Sequence, residues 1–317
     1  MYDTVIIGAG PAGITAGIYA ACYKMNAVVI GKLPGGEMLS ATRIINYPGY
    51  TPVAGADLTH NMVKQLRDLG QSITEANVMD VQKIDGGFSV KTDDQKIYET
   101  KTIIAATGTE RRKLNIPGER ELSGKGVFYC ATCDAHYYDG KTVCVIGGSN
   151  AAVQAAVQLS DRASRVYIIY RGEALRADPI WVEEVKKHPK IEVLYKTNIT
   201  AIKGGDWVSG VSLDTAYKES SELALEGVFV EIGGIPGTSF LIPLGVAVDD
   251  KGFIEINTQM ETNVTGIYAA GDCTTTGNML QQISVCVGEG AKAAGFTYKS
   301  LKSIRPPALW GKLWTQM

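Results

Sequence analysis

The chain has little of what marks several broad classes of protein. Its formal net charge is only −2, so nothing suggests a nucleic-acid or anionic-membrane surface. No apolar run approaches the roughly 20 residues that a membrane span needs. Met1-Tyr2-Asp3 leads into an apolar strand pattern without a basic stretch or a cleavage site. A secretory signal is therefore not expected, and the expected location is cytoplasmic. Histidine is scarce, and His60, His136 and His188 form no metal-ligand spacing, so no metal is expected. Six cysteines are too few for a disulfide scaffold in 317 residues. Low-complexity tracts are absent.

What is present is an ordinary globular balance, 45% hydrophobic and 20% charged, in a chain long enough for two domains. One pattern occurs twice. The strand Thr4-Val5-Ile6-Ile7 leads into Gly8-Ala9-Gly10-Pro11-Ala12-Gly13, a helix to about Tyr23, and the strand Ala27-Val28-Val29-Ile30. Later, Thr142-Val143-Cys144-Val145-Ile146 leads into Gly147-Gly148-Ser149-Asn150-Ala151-Ala152, a helix to about Asp161, and Arg165-Val166-Tyr167-Ile168-Ile169. Two βαβ openings predict an α/β protein with two Rossmann-like, three-layer ββα dinucleotide-binding domains. Between and after them lie short strands, including Phe88–Thr92, Thr102–Ala106, Ile191–Leu194, Gly227–Val230 and Ile267–Ala270. Leu280 to Tyr298 reads as a long final helix.

In the first turn, Gly8 permits a tight turn, Gly10 lets the backbone approach a pyrophosphate, and Gly13 lets helix and strand pack closely. The helix start at Pro11 and Ala12 then offers free N–H groups to phosphate. The second strand ends Ile30-Gly31-Lys32, without the acid that usually takes ribose hydroxyls. Cys130 and Cys133 form the one close cysteine pair, and without a second such pair the spacing points to redox work. Two intervening residues let the sulfurs close a disulfide within one helical turn, often with a depressed thiolate pKa. Asp134 follows directly, as a general acid/base for a leaving thiolate or as a solvated turn carboxylate. His136 reads as a surface or packing residue, and Cys22, Cys144, Cys273 and Cys286 as small buried hydrophobes.

Gly35-Gly36-Glu37, Asn46-Tyr47-Pro48-Gly49, Ala106-Thr107-Gly108, Cys130-Ala131-Thr132-Cys133-Asp134 and Gly271-Asp272 follow in one order. This resembles the low-molecular-weight thioredoxin reductase family along nearly the whole chain. The resemblance implies an FAD-binding domain in two parts, residues 1–112 and 245–301. A pyridine-nucleotide-like domain carrying the redox cysteines, residues 113–244, is inserted between them. It implies that Gly8, Gly10, Pro11, Ala12, Gly13, Gly35, Gly36, Asn46, Thr107, Gly108, Gly271, Asp272, Gln282 and Ile283 hold FAD. Asp272, at a strand end, suits ribityl hydroxyls or a helix N-cap; Asn46 equally suits a turn. The resemblance further implies that Cys133 contacts the flavin and Cys130 attacks the disulfide of a thioredoxin-like protein, in a homodimer.

The second turn departs from the family's pattern. Ser149 stands where Gly10 does and Ala152 where Gly13 does. The family's His-Arg-Arg-x-x-x-Arg stretch, which grips the 2′-phosphate of NADPH, reads here Tyr170-Arg171-Gly172-Glu173-Ala174-Leu175-Arg176. Arg171 and Arg176 survive as cations for a phosphate or as solvated surface charges, and Tyr170 offers a stacking face. The resemblance thus leaves the middle domain open to NADPH or a second FAD, and the donor open to NADPH or ferredoxin. After Pro306-Pro307, Trp310 and Trp314 read as a C-terminal aromatic tail, residues 302–317, that stacks on an isoalloxazine or packs at an interface. The expected activity is flavin-dependent disulfide reduction. The alternatives are an NADPH-dependent thioredoxin reductase with a weakened site, a ferredoxin–NADP reductase on the same scaffold, and a non-catalytic flavin-binding or redox-sensing protein.

Overall fold

The structure is a computed structural model that describes residues 1–41 and 43–303, without the side chains of Thr132 and Cys133. The chain divides into two compact units. Unit 1 combines Met1–Thr109 with the segment from Pro236 onward, and unit 2 is Glu110–Ile235.

Unit 1 opens with β1 (Tyr2–Ile7), α1 (Pro11–Cys22), β2 (Ala27–Ile30), α2 (Gly55–Asp68), β3 (Ile73–Thr74), β4 (Val78–Ile84), β5 (Gly87–Thr92) and β6 (Ile97–Ala105). After β7 (Thr109–Arg111), unit 2 contains β8 (Val127–Phe128), α3 (Ala131–Asp134), β9 (Thr142–Ile146), α4 (Asn150–Ser160), β10 (Arg165–Tyr170), α5 (Pro179–Lys187), β11 (Ile191–Tyr195), β12 (Ile199–Gly204), β13 (Val208–Tyr217), β14 (Ser220–Ala224) and β15 (Gly227–Val230). β16 (Gly234–Pro236) leads back to unit 1, which closes with β17 (Ile267–Ala269), α6 (Thr275–Met279) and α7 (Ile283–Leu301).

The sheet of unit 1 has the order β3-β2-β1-β6-β5-β4, with β17 also on β6. β1, β2, β3, β6 and β17 run parallel, whereas β4-β5-β6 is an antiparallel meander. Because side chains alternate along a strand, Val5 and Ile7 enter one core with Phe88 and Val90, while Ile6 enters another with α1, α2 and α7. Burial on both faces is why Val5-Ile6-Ile7 of β1 reads as an apolar run rather than an alternating one. α1 starts on Pro11, whose fixed φ suits the first helical turn, and is buried almost all round. It meets α7 through small residues: a Cβ on Gly290 would lie 2.2 Å from the Ala12 carbonyl oxygen.

In unit 2 the parallel sheet has the order β11-β10-β9-β15-β8, beside the antiparallel sheet β12-β13-β14. Cys144, Ile146, Ile169 and Val228 pack with Ile199, Val211 and Leu213 of the meander. Ala152, Val153, Ala156 and Leu159 of α4 are buried. Among the described residues, no helix is long and apolar enough to cross a membrane.

Three expectations need correction. The units meet at 109/110 and 235/236 rather than after 112 and 244. Residues 236–244 belong to unit 1 because Leu241 is fully buried with Val5 and Ile7, and the Gly237 N–H donates to the Gly108 carbonyl at 3.2 Å. The final helix begins at Ile283 rather than Leu280, since Gln282 is extended (φ −133°) and the separate helix α6 precedes it. Cys22 is exposed, whereas Cys144, Cys273 and Cys286 are buried as expected.

Candidate functional site

In unit 1 the turn after β1 is built from contacts that allow only glycine. A Cβ on Gly8 (φ +115°) would lie 2.0 Å from the Ala106 carbonyl oxygen, and one on Gly13 would lie 1.8 Å from the Gly8 carbonyl oxygen. Gly10 differs: a Cβ there meets no protein atom within 4 Å. Packing therefore does not require glycine at Gly10, and the space beside it is open at the N-terminus of α1, as an approaching pyrophosphate needs. The Gly35 N–H donates to the Ala9 carbonyl at 2.7 Å, and Gly36 abuts Gly10, so Gly35-Gly36 borders the same space. Pro11 and Ala12 open α1.

The end of β17 supplies the second part. Asp272 does not cap α6; Thr274 does, its hydroxyl accepting from the Gly277 N–H. The Cys286 thiol donates to Asp272 Oδ1 at 3.3 Å. Burial pushes the Asp272 carboxyl up to about 6, the Cys286 thiol counteracts this, and the charges of Glu289 and Glu37 add to it. Burial likewise pushes the Cys286 thiol up, so it stays protonated. Glu289, buried on α7, accepts from the Gly271 N–H at 2.7 Å and from the Thr276 hydroxyl at 2.8 Å. Asn46 donates through Nδ2 to Gln282 Oε1 at 2.7 Å, joining two expected site residues 236 positions apart and leaving Ile283 at the first turn of α7. The Thr107 hydroxyl, beside Gly108, is buried next to the Cys273 thiol. An open glycine backbone and a buried carboxylate fit a dinucleotide with a polyhydroxyl chain.

Sequence reasoning missed Glu289 and Cys286. The available signal was one carboxylate in Gly288-Glu289-Gly290, on a helix face otherwise made of Ala293, Ala294 and Thr297.

In unit 2, Cys130 is disulfide-bonded, whereas Cys22, Cys144, Cys273 and Cys286 are free. Cys133 lies on α3, and its side chain is outside the described residues. Asp134 is half-buried; burial raises its pKa, and the nearby His136 opposes the shift. The Tyr129 hydroxyl, one residue before Cys130, donates to the buried Glu119 at 2.8 Å. Tyr138 anchors the segment after α3, fully buried against Phe128 and Phe229. Among the described residues, no group of three His, Cys, Asp or Glu side chains is placed to hold a metal.

The second glycine-rich turn is built differently. Ala152 is fully buried where α1 has Gly13, and Ser149 is the extended N-cap of α4, without a side-chain capping bond. Tyr170 corrects an expectation: it offers no free stacking face, because the residue is only 8% exposed, with its ring close against Gly148 and Gly172. Arg171 and Arg176 are exposed, and Glu173 pairs with Lys196 at 2.7 Å. Trp310 and Trp314 lie outside the described residues.

These features match a known family over most of the chain: the profile of pyridine nucleotide-disulphide oxidoreductases covers residues 2–290. The chain belongs to that family. It is 35% identical over 309 residues to the thioredoxin reductase of Listeria monocytogenes, covering 96% of this chain and 95% of the relative. The Lactococcus lactis thioredoxin reductase structure matches at TM-score 0.91 and 36% identity, covering 96% of this chain and all of that one. A ferredoxin-flavin thioredoxin reductase from Clostridium acetobutylicum matches at TM-score 0.53 and 32% identity, covering 95% and 98%. The family member described here is a flavin-dependent disulfide oxidoreductase of thioredoxin reductase type, with two dinucleotide-binding domains.

Proposed function

We propose that this enzyme holds FAD in unit 1 and passes electrons through Cys130 and Cys133 to the disulfide of a thioredoxin-like protein, from a donor other than NADPH. The disulfide-bonded Cys130, in a unit that carries its own βαβ turn, is the observation on which this rests. FAD, when bound, supplies two-electron transfer. The residues for it are Gly8, Gly10, Gly13, Gly36, Asn46, Thr107, Gly271, Asp272 and Gln282, with Asp272 accepting ribityl hydroxyls.

In the reduced enzyme, the Cys130 thiolate attacks one sulfur of the partner disulfide. The partner's S–S bond breaks, a bond from Cys130 to the partner forms, and the departing thiolate takes a proton. The Cys133 thiolate then attacks the Cys130 sulfur, releasing the second partner thiol and re-forming the internal disulfide. Asp134, its pKa raised by burial, supplies the proton to a departing thiolate.

Gly172 and Glu173 support the donor reading. The first removes a cation from the family's phosphate grip, and the second occupies Lys196 in an ion pair. A structural relative described as a ferredoxin-flavin thioredoxin reductase supports a donor other than NADPH on this scaffold. The test is Cys130→Ser in the FAD-loaded enzyme. It should abolish reduction of a thioredoxin disulfide while leaving flavin content unchanged. Full activity in that variant would overturn the reading.

A further inference from the structure

We infer that Cys286 is a positioning residue for the flavin site: its thiol holds one oxygen of Asp272 and leaves the other for a hydroxyl of the ribityl chain. The inference rests on the reading above that Asp272 accepts hydroxyls of FAD.

α7 grips the Gly271-Asp272 turn with two side chains from one face. Cys286 and Glu289 stand three residues apart, so they project to the same side of the helix, and both are buried. Glu289 accepts from the Gly271 N–H at 2.7 Å and from the Thr276 hydroxyl at 2.8 Å, which fixes the backbone of the turn. The Cys286 thiol donates to Asp272 Oδ1 at 3.3 Å, which fixes the side chain. Gly271 is left-handed (φ +82°), and a Cβ there would stand 3.0 Å from the Ala12 Cβ and 3.4 Å from the Cys286 Sγ. The sulfur therefore lies directly against the turn.

The helix that carries the thiol is itself anchored. The Cys286 N–H donates to the Gln282 carbonyl at 3.0 Å, and the Gln282 side chain is held by Asn46. One turn further on, Gly290 packs on the Ala12 carbonyl.

An aspartate carboxyl has a broad preference about its last torsion, so it turns easily when both oxygens are free. A donor on one oxygen removes that freedom. Burial keeps the Cys286 thiol protonated, so the sulfur acts as a donor rather than a second anion. Among the described residues, no hydrogen bond occupies Asp272 Oδ2. That oxygen is the acceptor left for a ligand. The charged groups facing Asp272 are Glu289 and Glu37, and both disfavour its ionised form; Cys286 is the donor that favours it. Cys273, the next residue, is a buried thiol whose own pKa is raised by burial.

Two measurements on the full-length protein test this, comparing Cys286→Ala with Cys286→Ser. Both variants remove the bulk of the sulfur, but serine alone keeps a donor. The first is FAD affinity, measured by reconstituting the FAD-free proteins and following the quenching of flavin fluorescence. Cys286→Ala should bind FAD about three- to tenfold more weakly than wild type, the share of one hydrogen bond from a weak donor, and Cys286→Ser should stay within about twofold. The second is the pH dependence of the melting temperature of the FAD-free proteins. Without the donor, the ionised form of Asp272 is less favoured and its pKa rises further. The stability lost up to about pH 6 in wild type should therefore go on falling above that pH in Cys286→Ala, and follow the wild-type profile in Cys286→Ser.

Equal FAD affinity in the two variants, or a Cys286→Ala pH profile that matches wild type, would reduce Cys286 to a packing residue and overturn the inference, with the FAD reading intact. An Asp272→Ala variant that binds FAD as tightly as wild type would overturn the role of Asp272 itself, and the inference with it.

Discussion

Asp272, which we propose serves FAD, weakens the protein that carries it. Burial holds its carboxyl near a pKa of 6, above the ordinary 3.8. Between those pH values the folded chain binds more protons than the unfolded one, so stability falls as pH rises. This contribution is fully present below about pH 4, declines to about pH 6, and is flat above. A difference of about two pKa units corresponds to a loss of up to roughly 3 kcal/mol in the FAD-free protein. Asp272→Asn should therefore melt higher than wild type above pH 6, once FAD is removed, with the gap closing towards pH 4. Scanning fluorimetry of both FAD-free proteins from pH 4 to 8 measures this; parallel curves across that window would refute it. The same variant should retain less FAD, because the amide replaces one acceptor oxygen by a donor. The opposite outcome belongs to Glu289→Gln, where the carboxylate receives donors from the protein itself. There, a lost acceptor should cost about 1–3 kcal/mol of stability in chemical denaturation with or without FAD.

The two strand–turn–helix elements began as one pattern and were finished by different packing. Both were legible in the sequence, because glycine spacing and apolar runs are local signals. Their difference was legible only at single letters, Ser149 for Gly10 and Ala152 for Gly13. What lay beyond the sequence was long-range. The Asn46–Gln282 hydrogen bond fixes an extended Gln282 where helix propensity alone continues the helix back to Leu280. Nothing in residues 170–172 announces that the ring of Tyr170 packs against Gly148 and Gly172. The elements make a paired prediction. Gly13→Ala places a methyl group 1.8 Å from the Gly8 carbonyl oxygen, forcing α1 away from β1. The purified variant should lose most of its FAD absorbance at 450 nm and melt several degrees lower. Ala152→Gly, inside α4, should cost only about 1 kcal/mol from helix propensity and leave FAD content unchanged. Equal FAD loss in both variants would show that the two turns are not specialised.

At the scale of the whole molecule, the sequence announced an inserted domain but misplaced its far edge, because the burial of Leu241 with Val5 and Ile7 joins residues that no local pattern connects. With unit 1 built for a dinucleotide and unit 2 carrying Cys130, the two halves of the reaction are separable by experiment. Changes to the turn of unit 1 should alter flavin content; changes around Tyr170 should alter only which donor reduces it. The donor comparison follows from charge. Losing one of three cations at a 2′-phosphate removes a contact of about 1.5–3 kcal/mol, or roughly ten- to a hundredfold in affinity. In an anaerobic titration followed at 450 nm, NADPH should therefore bleach the flavin no faster than NADH at equal concentration, and reduced ferredoxin should bleach it faster than either. Rapid bleaching by NADPH alone, at one equivalent per flavin, would return the enzyme to the NADPH-dependent pattern, leaving Arg171 and Arg176 as a sufficient grip.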